Sequence, residues 1–294
     1  MKKTRNDKEM NVKYEEQIID IVKRALVEDI GYGDITTISV IGDEYIEGSA
    51  EFLIKGDGII AGLDVVWIVF KTIDPNLNFV PYFNDGDEVR SGNIAGVVSG
   101  DVRSILSAER TALNFLQRMS GIATLTNKFV RAVEGTKAKI TDTRKTAPGL
   151  RLIDKIAVEI GGGVNHRFGL YDMILIKDNH IAVAGGIEKA IERCLKYVKE
   201  KNVNVKIEVE AQNLDDVRKV LKIGGVDRIL LDNFGIDELK KAVDLISGKF
   251  EVEASGGITL ENVRQVAETG VDYISIGMLT HSPKALDISL EIKI

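Results

Sequence analysis

Residues 206–233, KIEVEAQNLDDVRKVLKIGGVDRILLDN, contain two short β-rich runs on either side of an amphipathic stretch. The runs are Lys206–Val209 and Arg228–Leu231, and the apolar residues between them have the spacing of one helix face. Similar runs recur through the second half of the chain, at Ala138–Thr141, Met173–Ile176, Glu251–Ala254 and Tyr273–Ile276. Strands that alternate with helices form parallel βαβ units, so the pattern predicts a (β/α) barrel, complete or incomplete. A doubly wound open sheet is the alternative.

The first hundred residues have a different pattern. Residues 1–13 are polar and predict a solvated tail, and helical spacing of apolar residues predicts a helix over roughly 14–28. Residues 35–104 predict short strands separated by glycine turns. The pattern of these first hundred residues therefore predicts a separate α/β unit.

Two further segments flank the barrel pattern. Residues 104–134 predict a mostly helical segment that is broken at Ser120-Gly121. From Leu286 to Lys293, apolar and polar residues alternate, which predicts a strand. We expect this strand to leave the barrel and pair with the N-terminal sheet.

The composition limits the class of protein. The chain has 39 basic and 45 acidic residues, a net charge of −6, and this balance argues against nucleic acid as the main partner. Its one cysteine, Cys194, excludes an intramolecular disulfide and lies on a helical pattern where packing explains it. No apolar run approaches the roughly 20 residues of a membrane span, and no apolar core follows the basic N-terminus as in a signal peptide. We therefore expect a cytoplasmic protein with no membrane partner.

Polar residues or glycines follow the predicted barrel strands. They include Lys177, Glu210, Asp232, Ser255 and Gly277. The carboxyl ends of barrel strands form the mouth, where the active sites of barrels lie. A single charge there is explained by a solvated loop, but several in register predict a site.

Glycines cluster after the last two strands, at Gly256, Gly257 and Gly277. Barrels often bind phosphate there through backbone N–H groups, and glycine lets the backbone approach the anion. Ordinary turn glycines are the alternative interpretation.

A basic cluster is spread over several segments. Its members are Arg110, Arg144, Lys145, Arg151, His166, Arg167 and Lys177. Arg and Lys clusters bind carboxylates and phosphates, so in an acidic protein this cluster predicts a small polyanionic ligand. The three histidines have no zinc-ligand spacing, so we expect no metal ion bound directly by protein ligands, and His180 is expected to form a hydrogen bond behind the site.

Together these residues resemble the quinolinate phosphoribosyltransferase family, also called nicotinate-nucleotide pyrophosphorylase (carboxylating). The matching motifs, in chain order, are EDIGYGDIT from Glu28, ERTALN from Glu109, DTRKT from Asp142, GGVNHR from Gly162, IKDNH from Ile176, EVE from Glu208, LDN from Leu231, EASGGI from Glu253 and SIG from Ser275. Ala147 and Ala211-Gln212 depart from the usual family residues, away from the expected chemistry.

The resemblance implies an α/β fold with two domains. An N-terminal α/β sandwich over 1–121, joined by a C-terminal strand over 282–294, precedes an incomplete TIM-like barrel over 122–281. It also implies a homodimer. The implied reaction joins quinolinate to phosphoribosyl pyrophosphate and yields nicotinate mononucleotide, pyrophosphate and CO₂ in de novo NAD synthesis. Mg²⁺ is the implied cofactor, bound mainly through phosphoribosyl pyrophosphate.

The resemblance also assigns roles to residues. It implies that Arg144, His166 and Arg167 hold the two carboxylates of quinolinate, with Arg110 supplied by the partner subunit. Lys145 and Lys177 would lie between the two substrates, and Glu210 and Asp232 would bind the ribose hydroxyls; these four residues are the implied catalytic set. The 5′-phosphate would be bound by Ser255, Gly256, Gly257 and Gly277.

Three other functions compete with this one. The first is a molybdenum-transport-associated homologue of the same fold, in which we expect the dicarboxylate-binding cations to change. The second is a barrel aldolase that uses Lys177 as a Schiff base. The third is an anion-binding protein without catalysis.

Overall fold

The computed structural model describes residues 14–293, so the predicted tail lies outside the described residues. The chain forms two compact units. The first contains the described residues up to Leu125, the segment Ala147–Gly161 and the segment from Pro283 onward. The second contains Thr126–Thr146 and Gly162–Ser282. The predicted domain boundaries at 121 and 282 remain a prediction.

The first unit is built on an antiparallel sheet of four strands in the order β12-β1-β5-β3, beside a two-stranded pair, β2-β4. The strands are β1 (Glu47–Ile54), β2 (Gly58–Ile59), β3 (Asn78–Pro81), β4 (Glu88–Val89), β5 (Ile94–Asp101) and β12 (Ile288–Lys293). The C-terminal strand β12 pairs with β1 along its length, from Ile288 opposite Ile54 to Lys293 opposite Ser49. This is the pairing that the alternating pattern predicts.

Among the described residues, four helices belong to the first unit in addition to the long helix described below. They are α1 (Glu15–Ile30), α2 (Ile35–Ile41), α3 (Leu63–Ile73) and, from the inserted segment, α5 (Arg151–Ile160). The prediction of only strands and turns over 35–104 is wrong at α2 and α3. The α3 sequence is an almost continuous apolar run, which does not distinguish a buried helix from a buried strand. Here Val66, Val69 and Phe70 are fully buried, and α3 packs against α1.

Helix α4 (Val102–Ala132) runs without interruption through Ser120 and Gly121, so the predicted break is wrong. Both residues are explained by close packing instead. The Ser120 hydroxyl accepts the N–H of Ala61 at 2.9 Å and donates to its carbonyl. A Cβ atom at Gly121 would collide with the backbone carbonyl of Lys284. The small residues therefore admit neighbouring backbone against the helix.

The second unit is an α/β barrel that does not close. Its six strands are all parallel, and they are β6 (Lys139–Thr141), β7 (Ile174–Ile176), β8 (Ile207–Ala211), β9 (Arg228–Asp232), β10 (Glu251–Ser255) and β11 (Tyr273–Ser275). The helices between or after them are α6 (Asp178–Ala184), α7 (Ile187–Lys201), α8 (Leu214–Ile223), α9 (Ile236–Ile246), α10 (Val263–Glu268) and α11 (Met278–His281).

The strand order is β6-β11-β10-β9-β8-β7, with β6 and β7 at the two edges. Chain order is followed around the sheet, as in a barrel, whereas a doubly wound sheet reverses its order at a switch point. All six predicted runs are strands, and the predicted incomplete barrel is confirmed. Within residues 14–293, no helix combines the length and the apolar character needed to cross a membrane.

Candidate active site

The carboxyl ends of the barrel strands bring the predicted strand-end residues to one edge of the sheet. Asp232 and Ser255 are register partners on β9 and β10, and Ser255 is in turn opposite Ser275 on β11. Glu210 lies on β8, and Lys177 directly follows β7. We call the group formed by Arg144, Lys145, Lys177, Glu210 and Asp232 the mouth residues.

Lys177 and Glu210 form an ion pair at the mouth, with 3.9 Å between Nζ and Oε2. The Lys177 side chain is 47% exposed, whereas that of Glu210 is 8% exposed. Burial raises the pKa of Glu210; the Lys177 ammonium opposes this shift, and the carboxylates of Asp232 and Asp178 add to it. Glu210 is therefore a largely buried carboxylate that has one lysine and two further carboxylates around it.

The backbone of Lys177 is fixed by His180. The N–H of Lys177 donates to Nδ1 of His180 at 3.0 Å, which closes the first turn of α6. The contact places His180 behind Lys177, so the lysine side chain leaves a defined helix start toward the mouth.

The ends of β9 and β10 are joined by a tight backbone arrangement. Asn233 has a left-handed backbone, its amide donates to Asp232 at 2.7 Å, and its N–H donates to the carbonyl of Ser255 at 2.8 Å. Gly256 and Gly257 both have positive φ, and a Cβ atom on Gly256 would collide with the Asn233 amide. These glycines are therefore required by the turn itself, and their predicted contact with a phosphate remains a prediction.

Gly277 leaves room for Lys145. A Cβ atom at Gly277 would lie 2.9 Å from Cδ of Lys145. The Thr280 hydroxyl of α11 donates to the Lys145 carbonyl at 2.9 Å, which ties the loop after β6 to the loop after β11. Lys145 is exposed, so its ammonium group is available to a ligand at the mouth.

Two guanidinium groups lie close enough to repel each other. Burial lowers the pKa of Arg167, and the positive charge of Arg144 lowers it further. Nη1 of Arg167 donates to the Met173 carbonyl at 3.2 Å, and the buried Nε of Arg144 has no hydrogen-bond partner in the structure. Two adjacent cations, one with an unused buried donor, are the electrostatic setting for a multiply charged anion.

The side chain of His166 is largely buried and faces two glutamates. Its side chain is 6% exposed, and Nε2 lies 3.0 Å from Oε2 of Glu208 and 3.4 Å from Oε1 of Glu253. Nδ1 accepts the backbone N–H of Arg167 at 2.7 Å. Burial lowers the pKa of His166, but the two carboxylates outweigh burial and raise it to about 9. Both ring nitrogens therefore have protein partners, and the direct substrate contact implied for His166 remains a prediction.

The sequence also matches known proteins along nearly its whole length. Residues 34–120 match the family described as "Quinolinate phosphoribosyl transferase, N-terminal domain", and residues 122–291 match the corresponding C-terminal domain. The chain belongs to the quinolinate phosphoribosyltransferase family.

Individual relatives within this family are similar over most of their length. A quinolinate phosphoribosyltransferase [decarboxylating] 2b, mitochondrial, from Nicotiana tabacum is 48% identical over 288 residues, covering 93% of this chain and 81% of the relative. A probable nicotinate-nucleotide pyrophosphorylase [carboxylating] from Bacillus subtilis is 43% identical over 276 residues, covering 94% and 93%. The solved nicotinate-nucleotide pyrophosphorylase from Francisella tularensis is 40% identical, with a TM-score of 0.89, covering 98% of this chain and all of that one.

Three charged residues of this barrel were not predicted as site residues: Glu208, Arg228 and Glu253. Nη1 of Arg228 donates to Oε2 of Glu253 at 2.8 Å, and its other guanidinium nitrogens contact Glu251. We call His166, Glu208, Arg228 and Glu253 the interior charge cluster. One signal could have found the glutamates, since each stands two residues before a strand-end residue and alternation places both on the same face.

Three members of the interior charge cluster have the spacing of a set of metal ligands. Ligand atoms of His166, Glu208 and Glu253 all lie within 4.8 Å of one another, the one such group among residues 14–293. Arg228 already places a positive charge against Glu253, and the ring of His166 supplies a proton donor between the carboxylates. The cluster is therefore explained by protein charges.

Arg110 lies on α4 in the first unit and is exposed. Its neighbours on the helix form hydrogen bonds with the α1–α2 region, where Ser107 donates to Asp34 and the Thr111 hydroxyl donates to Asp29. Arg110 is therefore held on a packed helix with its guanidinium group in solvent.

The second unit also has a cavity of about 580 Å³ at the amino ends of its strands. Lys137 and Lys206 line it, but they are paired with Asp272 and Glu251. Active sites of barrels lie at the opposite, carboxyl ends. The mouth residues are accordingly the candidate active site of this family member.

Proposed function

We propose that this chain transfers the phosphoribosyl group of phosphoribosyl pyrophosphate to quinolinate. The products are nicotinate mononucleotide, pyrophosphate and CO₂, so the enzyme is a decarboxylating pentosyltransferase of NAD biosynthesis. The single observation that carries the proposal is the pair of neighbouring cations, Arg144 and Arg167, beside the Lys177–Glu210 ion pair in a member of this family.

Quinolinate has two adjacent carboxylates, which suit adjacent guanidinium groups. A dianion would supply the acceptor that the buried Nε of Arg144 lacks and would relieve the repulsion between Arg144 and Arg167. Lys145 and Lys177, both at the mouth, would add positive charge between the two anionic substrates. This arrangement binds and orients the reactants, which is a large part of catalysis for a reaction of two bound substrates.

The transfer step needs stabilisation of a cation. The quinolinate ring nitrogen forms a bond to the anomeric carbon of the ribose while the bond from that carbon to the pyrophosphate oxygen breaks. The sugar then resembles an oxocarbenium ion. Glu210 and Asp232 place negative charge at the mouth, where they would hold the ribose hydroxyls and stabilise that ion.

The decarboxylation step follows from the first. Once alkylated, the ring nitrogen carries a positive charge. The bond between the ring and the neighbouring carboxylate breaks, CO₂ leaves, and the electron pair remaining on the ring carbon is stabilised by the adjacent cation until it takes up a proton. Electrostatic placement by the mouth residues accounts for this step without a protein nucleophile.

Mg²⁺ fits this site through its substrate. Glu210 and Asp232 are hard oxygen donors at the mouth, and Mg²⁺ commonly keeps waters between itself and protein carboxylates while it binds phosphates. We propose that these two residues face the ion through water. When bound, Mg²⁺ neutralises charge on the pyrophosphate leaving group.

We also propose a homodimer in which Arg110 acts in the site of the partner subunit. The first unit exposes large apolar side chains close to the helix that carries Arg110: Val27, Tyr32, Ile35, Ile38 and Val40. Exposed apolar groups concentrated in one segment favour an interface. A partner subunit that covered this segment would also meet the exposed guanidinium of Arg110.

A cytoplasmic location is likewise our proposal. The names of plant relatives place those proteins in mitochondria or chloroplasts. The net charge of −6 gives no support to nucleic acid as a partner.

The deciding experiment incubates the protein with quinolinate, phosphoribosyl pyrophosphate and Mg²⁺. We expect CO₂ and nicotinate mononucleotide in equal amounts, and neither product when any one substrate is omitted. A folded protein that forms neither product refutes the proposal. Binding of quinolinate without turnover would instead favour the anion-binding or molybdenum-transport-associated alternative.

The aldolase alternative has its own test. A Schiff-base lysine requires a free amine, which proteins favour by an apolar pocket or a neighbouring cation. Lys177 is half exposed and lies beside a carboxylate, so its surroundings give no support to that chemistry. Borohydride trapping with a carbonyl substrate should leave no adduct on Lys177.

A further inference from the structure

His166 is held between carboxylates of two barrel strands that are not neighbours. Glu208 belongs to β8 and Glu253 to β10, with β9 between them. Both glutamate side chains are fully buried, and both approach the same nitrogen, Nε2. Two buried carboxylates on one ring nitrogen require a proton on that nitrogen, because an unprotonated Nε2 would face them with a lone pair.

The two carboxylates differ in what else they touch. Glu253 is anchored by Arg228 at 2.8 Å, and Arg228 in turn contacts Glu251 and stacks over the Tyr273 ring at 3.8 Å from its centroid. The contact of Glu208 shown by the structure is the ion pair with His166, and neither of its oxygens has another hydrogen-bond donor. The imidazole is therefore the ion-pair partner of Glu208, and the charges of Arg228 and Arg167 also stabilise its carboxylate without an ion-pair contact.

The opposite side of the ring connects to the candidate active site. Nδ1 accepts a hydrogen bond from the backbone N–H of Arg167 at 2.7 Å. The backbone N–H of His166 donates to the Asp142 carboxylate at 2.8 Å. The ring thus fixes the backbone from which the Arg167 side chain extends. The two sides of the ring are therefore held by different partners: Nε2 faces the two carboxylates, and Nδ1 lies against the backbone N–H of Arg167.

We propose that Glu208 and Glu253 are positioning residues for dicarboxylate binding: they keep a proton on Nε2 of His166 and so orient the ring that holds Arg167 beside Arg144. This inference rests on the proposed function, because the dicarboxylate is the ligand of that site. Neither glutamate touches the substrate. Each acts through His166, and Arg228 acts through Glu253.

The charges around the ring support this arrangement. Glu208 and Glu253 face His166 from the strands, Asp142 and Arg167 flank it on its own side, and Arg228 lies behind Glu253. Burial raises the pKa of Glu208 and the charge of Glu253 raises it further, whereas His166 and Arg228 lower the pKa of Glu253 against the effect of burial. A proton between the carboxylates is thus stabilised from both strands.

The test replaces Glu208 with Gln, which keeps the size of the side chain but removes the charge and can donate as well as accept. In Glu208→Gln we expect the KM for quinolinate to rise by about 10- to 100-fold, by analogy with the loss of the carboxylate that orients a metal-binding histidine. We expect kcat and the KM for phosphoribosyl pyrophosphate to change by less than about threefold, because Lys177, Glu210 and Asp232 do not depend on the ring. Glu208→Asp should recover part of the loss.

Glu251→Gln is the matched control. Glu251 lies on the same face of β10 and contacts Arg228 and Lys206, but it does not touch His166 in the structure. Its KM for quinolinate should stay within about twofold of the wild type, since outer surface charges contribute little. An equal rise in Glu251→Gln and Glu208→Gln would overturn the proposal, because it would show a general effect of charge in the barrel.

A second readout does not depend on activity. Histidine ring ¹⁵N NMR reports which nitrogen carries the proton, and the chain has three histidines, so the His166 signals can be assigned by their loss in His166→Gln. In the wild type we expect Nε2 to be protonated throughout the stable pH range, and we expect the ring to titrate about one pH unit lower or more in Glu208→Gln. A wild-type ring with an unprotonated Nε2 overturns the proposal even if the variant does not fold.

The outcomes separate the inference from the function on which it rests. Absence of wild-type turnover refutes the proposed function. Wild-type turnover with an unchanged KM for quinolinate in folded Glu208→Gln refutes the positioning role alone. A selective rise in that KM together with a protonated Nε2 supports both.

Discussion

Glu208 and Glu210 stand two residues apart on the same face of β8, yet their surroundings differ sharply. Glu208 is fully buried against His166, with Glu253 and Arg228 completing the interior charge cluster. Glu210 lies at the mouth beside a half-exposed lysine, with a second carboxylate nearby that raises its pKa. The interior cluster balances its charges within the protein, whereas the mouth leaves charges unbalanced. Unbalanced charge at a barrel mouth indicates a ligand-binding site, whereas balanced charge below the mouth indicates residues that position the site.

The strongest test of the unbalanced charge at the mouth replaces quinolinate with nicotinate. Nicotinate lacks the carboxylate next to the ring nitrogen, so one of the mouth cations would keep no partner. An unpaired buried charge costs about 3–5 kcal/mol, which corresponds to a loss in kcat/KM of about 10³-fold. Steady-state kinetics with each pyridine at saturating phosphoribosyl pyrophosphate gives the ratio. Comparable kcat/KM values would contradict the assignment of quinolinate as substrate.

The next test removes a mouth residue. Lys177→Ala should lower kcat by about 10²- to 10³-fold, the range for a lost electrostatic contact at the reacting centre. Its half-exposed side chain packs little, so the unfolding temperature should be almost unchanged. CO₂ release and thermal unfolding measure the two effects.

Lys196→Ala is the control for Lys177→Ala. Lys196 is an exposed lysine on α7 that pairs with Glu200 at the surface, and its removal should affect neither property. Full activity in folded Lys177→Ala would show that the strand-end position carries no function.

Removing a residue of the interior charge cluster should lower the stability of the protein, whereas removing Lys177 should not. Glu253→Leu removes the anchor of Arg228 and one carboxylate of His166, which leaves a buried guanidinium without its closest partner. Breaking a buried pair in this way typically costs about 3–5 kcal/mol of unfolding free energy. Denaturant unfolding of the variant and the wild type measures this. A loss below about 1 kcal/mol, the size of a surface ion pair, would remove the distinction between interior and mouth.

The distinction between mouth and interior shows what the sequence can predict. The parallel strands and the strand-end residues follow from patterns: short β-rich runs, a regular spacing, and a polar residue where each run stops. Alternation places Glu208 and Glu253 on the same face as the strand-end residues, but it does not predict their role, because a charge inside an apolar strand is explained only by partners from distant strands. The orientation of the His166 ring depends on those partners and was therefore not predicted.

Two helices illustrate the same limit. The apolar run in α3 has no clear period, so its local sequence favours a strand as much as a helix, and the packing against α1 decides. In α4, Ser120-Gly121 predicts a break because small residues disfavour helix, but the residues are required where Ala61 and Lys284 approach the helix. Tertiary contact outweighs local propensity in both cases.

The partial recovery of activity in mixed dimers tests whether the mouth is completed by a second subunit. Arg110→Ala and Lys177→Ala should each be nearly inactive as homodimers if Arg110 acts in the partner's site. Mixed dimers would contain one site with both defects and one with neither, so random exchange could restore up to roughly a quarter of wild-type activity when half the dimers are mixed, each with one intact site.

Mass spectrometry must first confirm that the subunits exchange. If they do and no activity returns, Arg110 does not act across the interface. If Arg110→Ala alone keeps full activity, Arg110 has no role in the site, and a surface contact with an acidic neighbour such as Glu109 accounts for it.

The smallest expected effect is a gain in stability in Glu210→Gln, a variant that should lose activity. It is also the most specific of these predictions. The pKa of Glu210 is raised above its usual value of 4.5 by burial and by Asp232 and Asp178. A carboxyl with a raised pKa binds its proton more tightly in the folded state than in the unfolded state. The wild type therefore loses stability as the pH rises from near 4.5 through the raised pKa, and it does not recover this stability at higher pH.

Glu210→Gln removes that penalty because the amide does not ionise. Near pH 4 the variant and the wild type should be about equally stable, whereas near pH 7 the variant should unfold roughly 2 °C higher, the shift expected for about 1 kcal/mol in a chain of this size. Glu208→Gln, two residues earlier on the same strand, removes a burial penalty of the same kind but also the ion pair with His166, so it should gain less stability than Glu210→Gln. Thermal unfolding of both variants across this pH range measures the difference. If Glu210→Gln were less stable than the wild type near neutral pH, the Lys177–Glu210 pair would be a structural contact, and Glu210 would belong with the balanced charges of the interior.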